Sequence, residues 1–220
     1  MSKECVILLH GLARSADSME EMATKLEKEG YVVSNIDYSS REYTIEVLAE
    51  RAIGRGLLEC KQKSATPINF VTHSLGGILV RMYLKNNQRT DVARVVMLGP
   101  PNHGSEVVDN LKNFPGFEWF NGPAGMQLGT GDTDLPNLLG PVNVEVGIIA
   151  GTQSMNLFLS LFLPDPDDGK VSVESTKVEG MSDFIALPTM HPFMMTNDTV
   201  IDQTIYFLKN GKFLKTTSPD

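Results

Sequence analysis

An α/β domain built on a mostly parallel sheet, with helices on both faces, is the architecture this chain predicts, on three observations. Short apolar runs of strand length recur, as at residues 6–9, 68–71 and 92–98, and unbroken runs of this kind are typical of strands covered on both faces. Stretches with apolar residues at helical spacing lie between them. Strand and helix then alternate along most of the chain, without an internal repeat or a low-complexity linker, which is the pattern of parallel β-α-β units. At 220 residues the chain fits one domain with a full core, so a single domain over 1–220 is expected.

Each element has its own signal. Val6 to Leu9 form a continuous apolar strand. Residues 17–29 read as a helix, with Met19, Met22, Ala23 and Leu26 on one face and Gly30 as the stop. Residues 31–36 are the next strand. Ile45, Leu48, Ala49, Ala52 and Ile53 mark a second helix, whose end Gly54 and Gly56 weaken. Residues 68–71 form a strand, and Leu75, Ile78, Leu79, Met82 and Tyr83 give clear helical spacing after it. Residues 92–98, 144–150 and 184–187 are further strands, and residues 200–208 a closing helix. One long irregular stretch, 113–141, is rich in Gly, Pro and aromatics; a loop of that length inside a compact domain is usually functional.

Composition excludes several classes. Hydrophobic content of 41% and charged content of 21% are ordinary for a soluble globular protein. The net charge of −8, with no Lys/Arg cluster, argues against nucleic acid as a partner and reads as solubility. No apolar run reaches the length of a membrane span, and residues 5–9 are too short for a secretion signal and carry no cleavage site. Two cysteines, Cys5 and Cys60, are too few for a disulfide framework. Buried free thiols in a reducing compartment, hence a cytoplasmic protein, are the expectation.

The chemistry-bearing motif is Phe70-Val71-Thr72-His73-Ser74-Leu75-Gly76-Gly77. A strand leads into it and a helix leads out. Strand, serine in a tight glycine-flanked turn, then helix is the layout of G-x-S-x-G, with Thr72 in place of the first glycine. Such a turn lifts a hydroxyl out of the sheet and sets it at a helix N-terminus. A free serine is a weak nucleophile, so the motif calls for a histidine base and a carboxylate elsewhere. Three further pieces stand at predicted strand ends: His10-Gly11-Leu12, the run Asp165-Pro166-Asp167-Asp168-Gly169-Lys170-Val171, and Met190-His191-Pro192.

With Gly99-Pro100-Pro101-Asn102-His103-Gly104-Ser105 added, these segments resemble, in order and over residues 9–208, the lipase and esterase branch of the α/β-hydrolase superfamily, bacterial triacylglycerol lipases most of all. The chain order Ser, Asp, His is that superfamily's order and not that of the serine proteases. The resemblance implies an α/β-hydrolase fold and a catalytic triad of Ser74, His191 and Asp168, the aspartate standing just before the glycine of D-G-x-V. It also implies an oxyanion hole from the backbone N–H groups of Leu12 and Leu75. Ser74 would attack an acyl carbonyl, His191 would carry the proton, and Asp168 would hold the imidazole.

Alternatives stand beside these assignments. His10 reads better as ordering the loop before Leu12, His73 points away from its neighbour Ser74, and His103 is a pocket-lining candidate. Asp167 and Asp165 compete with Asp168, and one of them reads as a turn cap. A calcium site at these aspartates is the sharper alternative, although the regular ligand spacing is missing. Phe114, Phe117, Trp119 and Phe120 fall within seven residues of 113–141. They read either as a small satellite core or as a lid-like cap that binds the substrate's acyl chain. Residues 155–163, largely Leu, Phe and Met, read as core or pocket wall. The expected function is a serine carboxylic-ester hydrolase acting on a small acyl ester or lipid, with no cofactor and no metal. An acyltransferase or a thioesterase would use the same triad, and a non-catalytic binding protein on this fold is the reading from another class.

Overall fold

The computed structural model describes residues 3–154 and 163–215; the apolar run read at 155–163 therefore lies outside the described residues apart from Leu163. The elements in chain order are β1 (Cys5–Leu9), a 3-10 turn (Ala16–Met19), α1 (Glu20–Lys28), β2 (Val32–Ile36), α2 (Ile45–Gln62), β3 (Ile68–His73), α3 (Leu75–Asn86) and β4 (Val92–Leu98). After them come α4 (Glu106–Leu111), α5 (Phe117–Met126), α6 (Leu135–Leu138), β5 (Glu145–Gly151), α7 (Val173–Thr176), β6 (Asp183–Leu187), a second 3-10 turn (His191–Thr196) and α8 (Asp198–Asn210). The strands form one six-stranded sheet in the order β2-β1-β3-β4-β5-β6, parallel at every pairing. All strand C-termini therefore share one edge, where ligands of open α/β sheets bind.

The unbroken apolar runs have the cause expected of them. Side chains alternate across a strand, and β1 feeds two cores at once. Cys5, Ile7 and Leu9 pack with Ile45, Leu48 and Ala52 of α2 and Ile78 and Leu79 of α3. Val6 and Leu8 pack on the other face with Met22 and Leu26 of α1 and Ile201 and Phe207 of α8. All five β1 side chains are fully buried, and each aliphatic one removed from water contributes about 1.5–3 kcal/mol. Asn197, which caps α8 by accepting from the Val200 N–H, and Gly211, left-handed at φ 70°, set that helix's limits.

Two readings of the helices change. The second helix does not weaken at Gly54 and Gly56 but runs through both to Gln62. A methyl group at Gly56 would lie 2.7 Å from Ile7 Cγ2, so that glycine lets α2 press close onto β1. The irregular 113–141 stretch holds α5 and α6; α5 is bent at Gly122, where φ is 65°, just before Pro123.

The expectation of free thiols is corrected: Cys5 on β1 and Cys60 on α2 form a disulfide, with Cα atoms 5.9 Å apart. No local spacing marks the pair, because the close packing of α2 across β1 brings them together. The cytoplasmic reading loses the support it took from free thiols, since disulfides persist mainly in oxidising compartments. The bond closes a loop across 55 residues, for which chain entropy gives about 4 kcal/mol. Cys60→Ser should lower unfolding stability by about that amount in urea titration. An unchanged midpoint, or two free thiols titrating in the unfolded native chain, would show the bond to be absent.

Candidate active site

Ser74 leaves β3 and precedes α3 with φ 52° and ψ −118°. A residue with a Cβ in that region costs about 1–3 kcal/mol and persists only where its surroundings hold it. Here they do. The Ser74 N–H donates to Leu98 O at 2.9 Å, and Ser74 O accepts from the Gly77 N–H at 3.0 Å. The small residues around it are required by close approach. A methyl at Gly76 would lie 2.6 Å from Leu9 O, and one at Gly11 would lie 2.7 Å from His73 Nδ1 and 3.2 Å from Ser74 Cβ. The turn after β1 thus packs directly on the serine turn after β3.

Asp168 and His191 meet at the same edge. The His191 Nδ1–H donates to Asp168 Oδ2 at 2.6 Å, with both side chains buried. Asp168 Oδ1 accepts from the N–H groups of Lys170 at 3.0 Å and Val171 at 2.9 Å. The carboxylate is therefore fixed by its own loop and aimed at one ring nitrogen, which leaves Nε2 as the acceptor of the neutral imidazole. Gly99, left-handed at φ 53° after β4, lies against this pair; a methyl there would sit 3.0 Å from Asp168 Oδ2 and 3.1 Å from His191 Nδ1. Among the described residues the Ser74 hydroxyl has no hydrogen-bond partner, and in unliganded sites such bonds often tighten only when substrate arrives.

The other histidines hold the frame. His73 is buried; its Nε2 donates to His191 O at 3.0 Å and its ring lies 4.7 Å from that of His191. This contact joins the serine turn to the histidine loop and was not foreseen, because it depends on a residue 118 positions away. His10 Nδ1 donates to Gly11 O at 2.8 Å and Nε2 accepts from the Tyr38 N–H at 3.3 Å, so it orders the loop before Leu12. His103 bonds Asn137 Oδ1 at 2.8 Å and is exposed. Asp167 Oδ1 accepts from the Gly169 N–H at 2.6 Å in a turn-capping position, Asp165 is exposed, and among the described residues no three potential metal ligands cluster.

Burial, reinforced by His191 and Arg14 nearby, pushes the His73 pKa well below its ordinary value, and burial lowers that of His10. Both therefore take up a proton at lower pH in the fold than in the unfolded chain. Above about pH 6.5 they are neutral in the unfolded chain too and contribute nothing; below it the unfolded chain binds protons before the fold does. Stability should then fall with pH by up to about 1.4 kcal/mol per unit for each group. His73→Gln, which keeps a donor for His191 O, should flatten the slope in urea titrations at pH 5 to 8. An identical slope would show that His73 titrates normally.

Leu75 opens α3, so its N–H has no intrahelical partner, and Leu12 lies in the turn after β1. Leu75 directly follows Ser74, and Leu12 directly follows Gly11, whose backbone packs on the serine turn. Above Leu12 sits α5: a methyl at Gly125 would lie 3.1 Å from Leu12 Cδ2. Of its aromatics only Phe117 packs on the core. Phe114, Trp119 and Phe120 are 63%, 78% and 61% exposed, so they do not form a satellite core. Trp119 borders an open groove of about 510 Å³ with Arg14, Tyr38 and Arg41.

A family model described as palmitoyl protein thioesterase matches residues 5–133. A search of curated protein sequences finds no match. Among solved structures the chain is similar to the mature lipase BlEst2 of Bacillus licheniformis, at 20% identity, a TM-score of 0.73, and 96% of this chain on 92% of that one. It is also similar to the phospholipase PlaB of Legionella pneumophila, at 17% identity and a TM-score of 0.75, where 96% of this chain spans 60% of that one. A thermophilic esterase from Thermogutta terrifontis matches at 15% identity and a TM-score of 0.65, over 96% and 91% of the two chains. At these identities the likeness shows the fold, that of the α/β hydrolases.

Proposed function

The chain belongs to the palmitoyl protein thioesterase family, and from that premise we propose that it is a serine hydrolase of carboxylic acyl esters, with Ser74, His191 and Asp168 as its triad. The observation that carries the reading is a serine held at positive φ between strand and helix, on the sheet edge where a buried aspartate fixes a histidine by its Nδ1–H. Ser74 Oγ attacks the acyl carbonyl while His191 Nε2 takes its proton. The imidazolium, stabilised by Asp168, returns that proton to the leaving alkoxide. Water then repeats the sequence on the acyl-enzyme. The Leu12 and Leu75 N–H groups bind the oxyanion, Leu75 with the dipole of α3 behind it. Only protons and an acyl group move, so the reaction uses no cofactor.

The segment 113–141 acts in this reading as a cap over the oxyanion turn, with Phe114, Trp119 and Phe120 offering apolar surface to an acyl chain and Phe117 anchoring α5. An aliphatic ester of a small alcohol or a lipid is the substrate class. The thioester of the same acyl group is the second reading, favoured by the family match. No helix among the described residues is long and apolar enough to cross a membrane.

Two measurements test this. A fluorophosphonate should add one label, on the peptide that contains Ser74, and esters of graded length should be cleaved by the same chain that cleaves the octanoyl thioester. Labelling elsewhere, or no turnover of either, removes the reading. Trp119→Ser should lower kcat/KM for octanoate about fivefold more than for acetate, since a buried CH₂ is worth about 0.8 kcal/mol. Its melting temperature should not move, because the ring is 78% exposed. Unchanged chain-length preference would take Trp119 out of the substrate path.

A further inference from the structure

Arg81 lies seven residues beyond Ser74 on α3, about 10 Å along the helix at 1.5 Å per residue. It is only 6% exposed. Its Nη1 donates to Asn102 O at 2.8 Å and to Asn102 Oδ1 at 3.2 Å, and its Nη2 to Gly140 O at 2.8 Å. These acceptors are all uncharged. Among the described residues no carboxylate pairs with Arg81, and its buried Nε–H has no partner. Burial lowers its pKa to about 10, which still leaves a full positive charge at neutral pH. A buried cation with neither a counter-ion nor a full set of acceptors is costly, and native structures rarely keep one without a use for it.

Arg81 lines a cavity of about 520 Å³ on the α2/α3 face of the sheet, away from the strand ends that carry Ser74 and His191. That volume is within the range of small-molecule sites. Its accessible apolar lining is Leu84, Pro141, Val142 and Val144, while Val95, Met97 and Val146, which also line it, are themselves buried. Lys85 and Arg89 add to its rim, and among the described residues no Asp or Glu lines it, although the chain has 27 acidic residues against 19 Lys and Arg. Those two cations are partnered, Arg89 with Asp91 and Lys85 with Leu138 O. Of the three, Arg81 is the one with a buried donor left without a partner.

We propose that this cavity is a second ligand site, separate from the Ser74 site, for an aliphatic carboxylate. The carboxylate would complete the charge and the donor set of Arg81, since its planar pair of oxygens matches a guanidinium. The alkyl chain would lie against Leu84, Pro141, Val142 and Val144, next to the buried Met97. Charge without chain, or chain without charge, satisfies only half of the lining. This inference does not rest on the reading of Ser74 as a nucleophile.

The test uses the Ser74→Ala chain, so that turnover plays no part, labelled with ¹³C-methyl methionine. The Met97 signal is identified by its loss in Met97→Leu. Titration with sodium decanoate should shift Met97 saturably. Decanol should bind about tenfold more weakly or worse, and acetate should leave the signal in place. Arg81→Gln should weaken decanoate by about tenfold or more, as expected when one partner of a buried charged contact is lost, and leave decanol unchanged. Leu84→Trp, which fills the cavity from a partly buried position, should abolish the Met97 response to both and serves alone if Arg81→Gln does not fold. The proposal is overturned if decanoate moves only Met194 and Met195 beside the catalytic histidine, if decanol binds as well as decanoate, or if Leu84→Trp binds decanoate undiminished.

Discussion

Ser74→Ala is expected to lower kcat/KM for a p-nitrophenyl ester by about 10⁵-fold, His191→Ala by a similar factor, and the double variant by no more than the worse single one. Members of a triad act as a unit: without the hydroxyl there is nothing for the imidazole to deprotonate, and without the imidazole the hydroxyl is a poor nucleophile. A residual rate of about 10³–10⁴ over water should survive in all three, from the oxyanion donors and substrate binding. The serine change has a clean control. Its hydroxyl has no hydrogen-bond partner among the described residues, and alanine bears the same positive φ as serine. Melting temperature should therefore stay where it is while activity disappears. Losses of only tenfold, or losses that multiply in the double variant, would mean that Ser74 and His191 do not act on one proton.

How much of this was legible in the sequence follows from how local each feature is. The strands were legible because burial on both faces leaves no polar alternation, and β1 shows this directly: Val6 and Leu8 enter one core, and Cys5, Ile7 and Leu9 the other. The serine turn was legible because strand, turn and helix are consecutive, and Gly76 and Gly77 carry the steric requirement within the same few residues. Helix α5 was hidden by its own breaks, with Gly116 left-handed at its cap and Gly122 and Pro123 bending it, and by aromatics that face outward instead of marking a buried stripe. The Cys5–Cys60 bond and the His73–His191 contact were hidden for another reason. Each joins residues far apart in the chain, and only the crossing of α2 over β1, or of the histidine loop over the serine turn, brings them together. Gly99 stood in a quoted motif, but its need to be glycine comes from Asp168 and His191, which the fold places against it.

Asp168→Asn is the second large effect expected, a loss of about 10⁴-fold in kcat with the fold intact, against less than about tenfold for Asp167→Asn. The two aspartates are neighbours, both are buried, and sequence left both as candidates for the acid. Their hydrogen bonds differ in what an amide can replace. In Asp168 the Oδ1 atom serves the Lys170 and Val171 N–H groups, and Oδ2 receives the His191 proton. Asparagine can keep its oxygen on the two amides, which preserves the loop. Its NH₂ then faces His191 Nδ1 and must donate, so the ring holds its proton on Nε2, the atom that has to accept from Ser74. The base is lost by tautomer, without any change in position. In Asp167 the Oδ1 atom accepts from the Gly169 N–H within the turn, and an asparagine oxygen can do the same. Rate and melting temperature measured on both variants decide the matter. A larger loss in Asp167→Asn, with Asp168→Asn nearly as active as the parent, would transfer the role of the acid and leave the Asp168–His191 bond as structural.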